Sequence, residues 1–186
     1  MTLKIEKEPS TFLYPCPVVL VTTVNNNGTP NIVTLAWVGV ANSTPPMLSI
    51  AVREQRHSHG NLMKTKEFVV NIPSSDLVVQ TDHCGTVSGK EHDKFAETGL
   101  TPEPSKIVKP PGIRECPVNV ECRVRHTINL GSHDLFIGEV VAARVEESVL
   151  GADGRVDVRR AKPLAYTGRY WRLGRKVSTR PRLPRT

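Results

Sequence analysis

A chain of 186 residues can bury one sizeable core, and 38% hydrophobic with 23% charged residues is the balance of a globular domain. No apolar run approaches the length of a membrane span, and Met1–Glu6 lacks the apolar centre of a signal peptide, so a cytoplasmic protein without membrane contact is expected. The net charge of +7 invites a nucleic-acid reading, but five basic residues and no acids fall within 175–186 (Arg175, Lys176, Arg180, Arg182, Arg185), which leaves 20 basic against 18 acidic residues over 1–174, a balance of +2. The expectation is therefore one domain over residues 1–174, a basic, disordered tail over 175–186, and no nucleic-acid partner.

Val18–Val24 is β-branched almost throughout and reads as the first strand, turned back at Asn25-Asn26-Asn27-Gly28 by residues that tolerate positive φ. The run from Asn31 then pairs with it, with Ile32–Val38 as one strand. A polar turn follows at Asn42–Pro46, then a strand over Met47–Val52. This last strand runs into Arg53-Glu54-Gln55-Arg56-His57-Ser58. Two guanidiniums and a hydroxyl just before a helix start suit a phosphate, because Arg offers a planar fork of donors and a helix N-terminus offers unpaired N–H groups. His57 and His59, two apart in a loop, fit anion contact or solvent better than a metal site. A short helix is expected over Gly60–Lys66 and a strand over Phe68–Ile72, stopped by Pro73. Ser74 and Ser75 are candidate caps for a helix through Leu77-Val78-Val79.

Asp82–Phe95 carries Gly85, Ser88 and Gly89, where the backbone could approach a ligand closely, and Lys94, a mobile positive charge at a helix start. That helix spans Asp93–Thr98 and ends at Gly99. Leu100–Arg114, with Pro102, Pro104, Pro110 and Pro111, reads as a surface excursion. Val118–Ile128 alternates Val118, Val120, Cys122, Val124 and Ile128 with Asn119, Glu121, Arg123, Arg125 and Thr127, a period-2 strand with one wet face. Leu135–Val145 is its long partner, apolar on both faces. Leu164–Tyr166 and Tyr170-Trp171 are short late pieces. The four cysteines (Cys16, Cys84, Cys116, Cys122) fit neither a zinc spacing nor a disulfide framework and are expected as free thiols.

Many strands with only short helices point to a mainly β protein, a closed or partly open barrel. No Gly-x-Gly-x-x-Gly follows a strand, and no nucleophile elbow is present. An OB-fold-like nucleic-acid binder would want exposed aromatics on a basic face, and the chain has only nine Phe, Trp and Tyr.

Several of these stretches together resemble a known family. They are Tyr14-Pro15-Cys16-Pro17-Val18, Asn31–Trp37, Arg53–Asn61, Cys84-Gly85-x-x-Ser88-Gly89-x-x-x-Asp93-Lys94-Phe95, Leu130–Glu139 and Lys162–Tyr166. In these the chain resembles the flavin reductase-like, FMN-binding split-barrel family, and most closely its flavoredoxin branch. The resemblance spans about residues 9 to 174. It implies a six-stranded Greek-key split barrel, a homodimer and one FMN per subunit. It further implies that Asn31, Thr34, Ala36 and Trp37 lie along the flavin ring and that Arg53, Arg56, Ser58 and His59 take the phosphate end. Gly85, Ser88 and Lys94 would close over the cofactor, with His133 and Tyr166 completing the pocket. The implied activity is oxidoreduction through FMN with NAD(P)H as donor, or, alternatively, electron carriage for a partner redox protein.

Overall fold

The computed structural model describes residues 2–174, so the basic tail over 175–186 lies outside the described residues. After an extended lead-in, β1 (Cys16–Pro17) precedes β2 (Val19–Val24), whose six residues are all buried. The turn after β2 forms as expected: Asn25 Oδ1 accepts from the Asn27 and Thr29 N–H groups at 2.9 Å each, and Gly28 takes a φ of 82°. β3 (Pro30–Leu35) returns antiparallel to β2, with Val33 opposite Val21.

The expected single strand over Ile32–Val38 is instead two. The chain bends at Ala36 and Trp37, and β4 (Val38–Ser43) then pairs with β5 (Pro46–Val52) rather than with β2. The Ala51 N–H donates to the Trp37 carbonyl at 2.9 Å, which anchors the bend to β5. The bend closes the barrel. The large sheet runs β3-β2-β6-β9-β10-β5-β4, and β3 and β4, at its two edges, are halves of one bent strand. Counted so, six strands surround the core. They comprise β2, β3 with β4, β5, β6 (Glu67–Ile72), β9 (Val118–Asn129) and β10 (Asp134–Val145). The β5-to-β6 connection crosses over through α1 (His57–Thr65), which gives the Greek-key order.

Alternation along β2 explains its double burial. Val19 and Val21 point into the barrel with Ile50, Val52, Phe68, Val70, Cys122 and Phe136. Leu20 points outward with Ile32 into a second core beneath α2 (Val78–Thr86) and α3 (Lys94–Thr98), which adds Cys84, Phe95, Leu100, Ile113 and Cys116. Both helices differ in extent from expectation: α1 begins three residues before Gly60, and α2 runs on past Val79 through Cys84 and Gly85 to Thr86.

The proline-rich segment 100–114 forms the small pair β7 (Pro102–Glu103) and β8 (Gly112–Ile113) and packs on the outer face of β9. The wet face expected on β9 is therefore dry at its first half. Glu121 is 1% exposed, and its carboxylate accepts from the N–H groups of Lys106, Ile107 and Val108 at 2.7–3.2 Å. Asn119 donates to Asn71 Oδ1 at 2.9 Å and to the Ile113 carbonyl at 3.0 Å. Burying these groups is tolerable only because each is hydrogen-bonded. β10 is less enclosed than expected, with Ala143 and Val145 exposed. A second sheet, β1-β11-β12, is built from β11 (Leu164–Tyr166) and β12 (Tyr170–Arg172) after the short helix α4 (Val158–Ala161). The four cysteines are free thiols. No described helix is long and apolar enough to cross a membrane.

Candidate functional site

The segment after β5 leaves the barrel at Val52 and enters α1 within five residues, because Arg56 serves as N-cap with extended backbone. No side chain caps this nine-residue helix, and its first turn carries no acid. Its N–H groups are thus left for an anion, and the positive end of its dipole is uncompensated. Arg53, Arg56 and Ser58 share a cavity of about 360 Å³ there with Asn31 from β3, Ser88 from the loop after α2, and Lys94 from α3. Ser58 is fully buried and its hydroxyl accepts from Asn31 Nδ2 at 2.7 Å, so strand and helix are pinned together at the cavity floor.

Lys94 is not the mobile charge expected from the sequence. It is 4% exposed, and its Nζ donates to the Ile32 carbonyl of β3 and the Cys84 carbonyl of α2, both at 2.8 Å. Burial, with a smaller contribution from the Arg56 charge, lowers its pKa from 10.5 to about 8 against the opposing effects of Cys84 and Glu97. Burial raises the Cys84 thiol to about 11, so it stays protonated at neutral pH. His57 also lines the cavity, and burial followed by the Lys90 and Lys94 charges lowers its pKa.

A second cavity of about 250 Å³ holds Thr34, Ala36, Gly85 and Tyr166. It meets the first at Thr86. An apolar groove of about 740 Å³ continues from it at Ala36 and Tyr166, walled by Trp37 and by the Ser10–Pro17 lead-in. Eleven of the thirteen residues singled out in the sequence therefore line one connected set of cavities.

The other two stand beside it. His59 is buried behind the first cavity: its Nε2 meets Asp134 Oδ2 at 2.7 Å, and its ring packs edge-on against Phe136 at 5.6 Å. The bonds from His59 and Asn129 hold the Asp134 carboxyl below its usual range. His133 stacks on Trp37, with ring centroids 4.5 Å apart, and its Nε2 lies 3.4 Å from Arg53 Nε.

The two glycines of the motif face the protein's own side chains rather than open space. A Cβ on Gly89 would stand 1.9 Å from Asn31 Oδ1, and one on Gly85 would stand 3.2 Å from Thr34 Cβ. They allow α2 and the following loop to close on β3. Residues not singled out from the sequence also line the cavities, among them Gln55, Val87, Asp82 and Tyr170. Gln55, Val87 and Asp82 sit inside stretches the sequence marked, but no residue type singles them out within those stretches, and Tyr170 arrives from a separate late strand. Tyr170 is held protonated by burial and by Asp82 beside it, far above its ordinary value. Among the described residues no group of three or more His, Cys, Asp and Glu could hold a metal ion.

The site thus consists of a cationic anion-binding end, a narrow middle and an apolar groove. Comparison with known proteins gives the family. The family described as "Flavin reductase like domain" matches residues 11–174. The flavoredoxin of Desulfovibrio vulgaris (Miyazaki F) superposes with a TM-score of 0.90 at 32% identity, covering 95% of this chain and 97% of that one. Flavoredoxin from Methanosarcina acetivorans does so with a TM-score of 0.87 at 34% identity, over 96% and 95% of the two chains. Nitrilotriacetate monooxygenase component B from Bacillus cereus follows with a TM-score of 0.85 at 25% identity, over 96% and 99%. The chain belongs to the flavin reductase-like family, on its flavoredoxin branch, and its chemistry is flavin-linked oxidation and reduction.

Proposed function

We propose that the connected cavities hold FMN and that the protein cycles it between oxidised and reduced states as an oxidoreductase, taking electrons from NAD(P)H or from a partner redox protein. The observation that carries this reading is the convergence of Arg53, Arg56 and the uncapped N-terminus of α1 on one cavity, with the buried Lys94 ammonium at its wall. That donor set fits a phosphate dianion in charge and in geometry. The connected space runs on past Thr34, Ala36 and Tyr166 to Trp37, where the flavin ring would lie. Bound FMN supplies acceptance and release of a hydride or of electrons at its N5.

The chain's own work is to bind, orient and shield. Arg53, Arg56 and Ser58 take the phosphate end, and His59 braces α1 by holding Asp134 at the start of β10. Asn31 orients the polar middle, fixed by its bond to Ser58. Lys94 keeps a positive charge where a reduced ring gathers negative charge, and fixed charge in a dry wall is more effective there than a solvated one. Gly85 and Ser88 belong to the wall that closes over the cofactor. Trp37 and Tyr166 cover the apolar end. We assign the exposed apolar groove beside the Ser10–Pro17 lead-in to a second copy of the chain in a homodimer. Residues 1–174 form the cofactor domain.

Charge-assisted hydrogen bonds are worth about 1.5–3 kcal/mol, so Arg53→Ala or Arg56→Ala should weaken FMN roughly 10- to 150-fold. Riboflavin has no phosphate, and its affinity should barely move. Calorimetry with both ligands decides the matter, since equal losses for the two would place the phosphate elsewhere. Anaerobic spectra with NADH and NADPH then separate a reductase from an electron carrier.

A further inference from the structure

His133 occupies the tight turn between β9 and β10, where the Leu130 N–H donates to the His133 carbonyl at 2.9 Å and Gly131 takes a φ of 90°. Three contacts fix its ring. Its face lies against the Trp37 indole at 4.5 Å, Ser132 Oγ is 2.9 Å from Nδ1, and Arg53 Nε is 3.4 Å from Nε2. An arginine Nε–H can only donate, so Nε2 must offer its lone pair. The ring proton therefore sits on Nδ1, where Ser132 Oγ accepts it. One neutral tautomer satisfies all of these contacts, and the cationic form does not: a proton on Nε2 removes the acceptor and sets a second positive charge against Arg53.

We propose that neutral His133 is a positioning residue, holding the Arg53 guanidinium at the anion cavity and the Trp37 indole at the head of the apolar groove, and that proton uptake at Nε2 releases Arg53 and so couples cofactor affinity to pH. The surroundings favour the neutral form. Burial and then the Arg53 charge lower the His133 pKa below its ordinary 6.5. From β5 the facing charge is Arg53. From β10 the adjacent Asp134 is turned away, bonded to His59 of α1 at 2.7 Å and to Asn129 of β9 at 2.7 Å. Trp37, at the bend between β3 and β4, brings no charge. Three residues singled out separately in the sequence thus act through one ring.

The proposal rests on the phosphate reading for its effect on FMN, but the His133–Arg53 pair can be tested without any ligand. An NMR titration of the His133 ring in the full chain should give a midpoint below 6.5 that moves upward in Arg53→Ala. An unmoved midpoint would overturn the proposal. With FMN, calorimetry at about pH 7.5 and about pH 5.5 should show the wild-type affinity falling more than that of His133→Gln, by a factor below about ten, since the variant's side-chain carbonyl remains an acceptor at both values. The phosphate's own protonation contributes equally to both proteins. If His133→Gln keeps the whole acid loss, or if wild-type affinity rises on acidification because cationic His133 grips the phosphate directly, the proposal fails. Failure of the phosphate reading looks different: FMN and riboflavin would respond alike to Arg53→Ala while the NMR shift persisted.

Discussion

At the scale of single residues, Lys94 shows how burial turns a charge into a structural tie. It joins β3 to α2 through two carbonyls, and its pKa falls from 10.5 to about 8 chiefly by desolvation. A base with a depressed folded pKa makes stability rise with pH. Below about pH 8 both states hold the proton and the folded one bears the burial cost. Between about 8 and 10.5 the unfolded chain alone holds it, so stability climbs, and above that window the gain is complete. The climb should be of order 3 kcal/mol, and Lys94→Met should lack it. Urea midpoints of the two proteins from neutral pH to about pH 10 measure the difference. Parallel curves would mean that Lys94 keeps an ordinary pKa.

At the scale of elements, the closure of α2 and its following loop on β3 depends on two positions without side chains. A Cβ at Gly89 would overlap Asn31 Oδ1 at 1.9 Å, and Asn31 cannot retreat without losing its 2.7 Å bond to Ser58. Gly89→Ala should therefore cost about 1–3 kcal/mol of stability and weaken FMN as well, because the loop carrying Ser88 lifts from the cavity. Asn31→Ala removes the obstructing atoms. In the double variant the stability loss should be smaller than the sum of the two single losses by at least about 0.5 kcal/mol. Thermal melts of the four proteins give the coupling. Simple additivity would show that the two residues do not meet.

At the scale of the whole molecule, the site lies where β3, α1, α2, α3 and β11 converge, so a ligand bound there ties the barrel to its outer layer. A ligand that binds only the folded chain stabilises it by about 2.7 kcal/mol at a hundredfold excess over its Kd. For a chain of 186 residues that should raise the thermal midpoint by roughly 5–11 °C. Differential scanning with graded FMN checks this, and a midpoint indifferent to FMN would mean that the cavities hold something else.

Much of this molecule was legible locally. The β-branched run of β2, the Asn-Gly turn after it and the strand Phe68–Ile72 are written in neighbouring residues, and so is the cationic segment Arg53–Ser58, because one short stretch supplies both guanidiniums of the anion cavity. The strand-rich pattern already pointed to a barrel, and the motif likeness added its six-stranded Greek-key form and the cavity residues Thr34, Ala36, Trp37 and Tyr166. What the sequence could not settle is decided by contacts between distant elements. Ala36 and Trp37 read as mid-strand, yet the chain bends there because β2 claims one half of the strand and β5 the other. Asn119 and Glu121 read as wet, yet residues 100–114 cover them and supply the N–H groups and carbonyls that make their burial affordable. Lys94 read as mobile and Gly89 as a place for a ligand, whereas carbonyls of β3 and α2 hold the first and Asn31 fills the space before the second. Local propensity determines which residues can form a strand, turn or cap. Which face is covered, and by what, depends on a partner dozens of residues away, and only the tertiary structure supplies that partner.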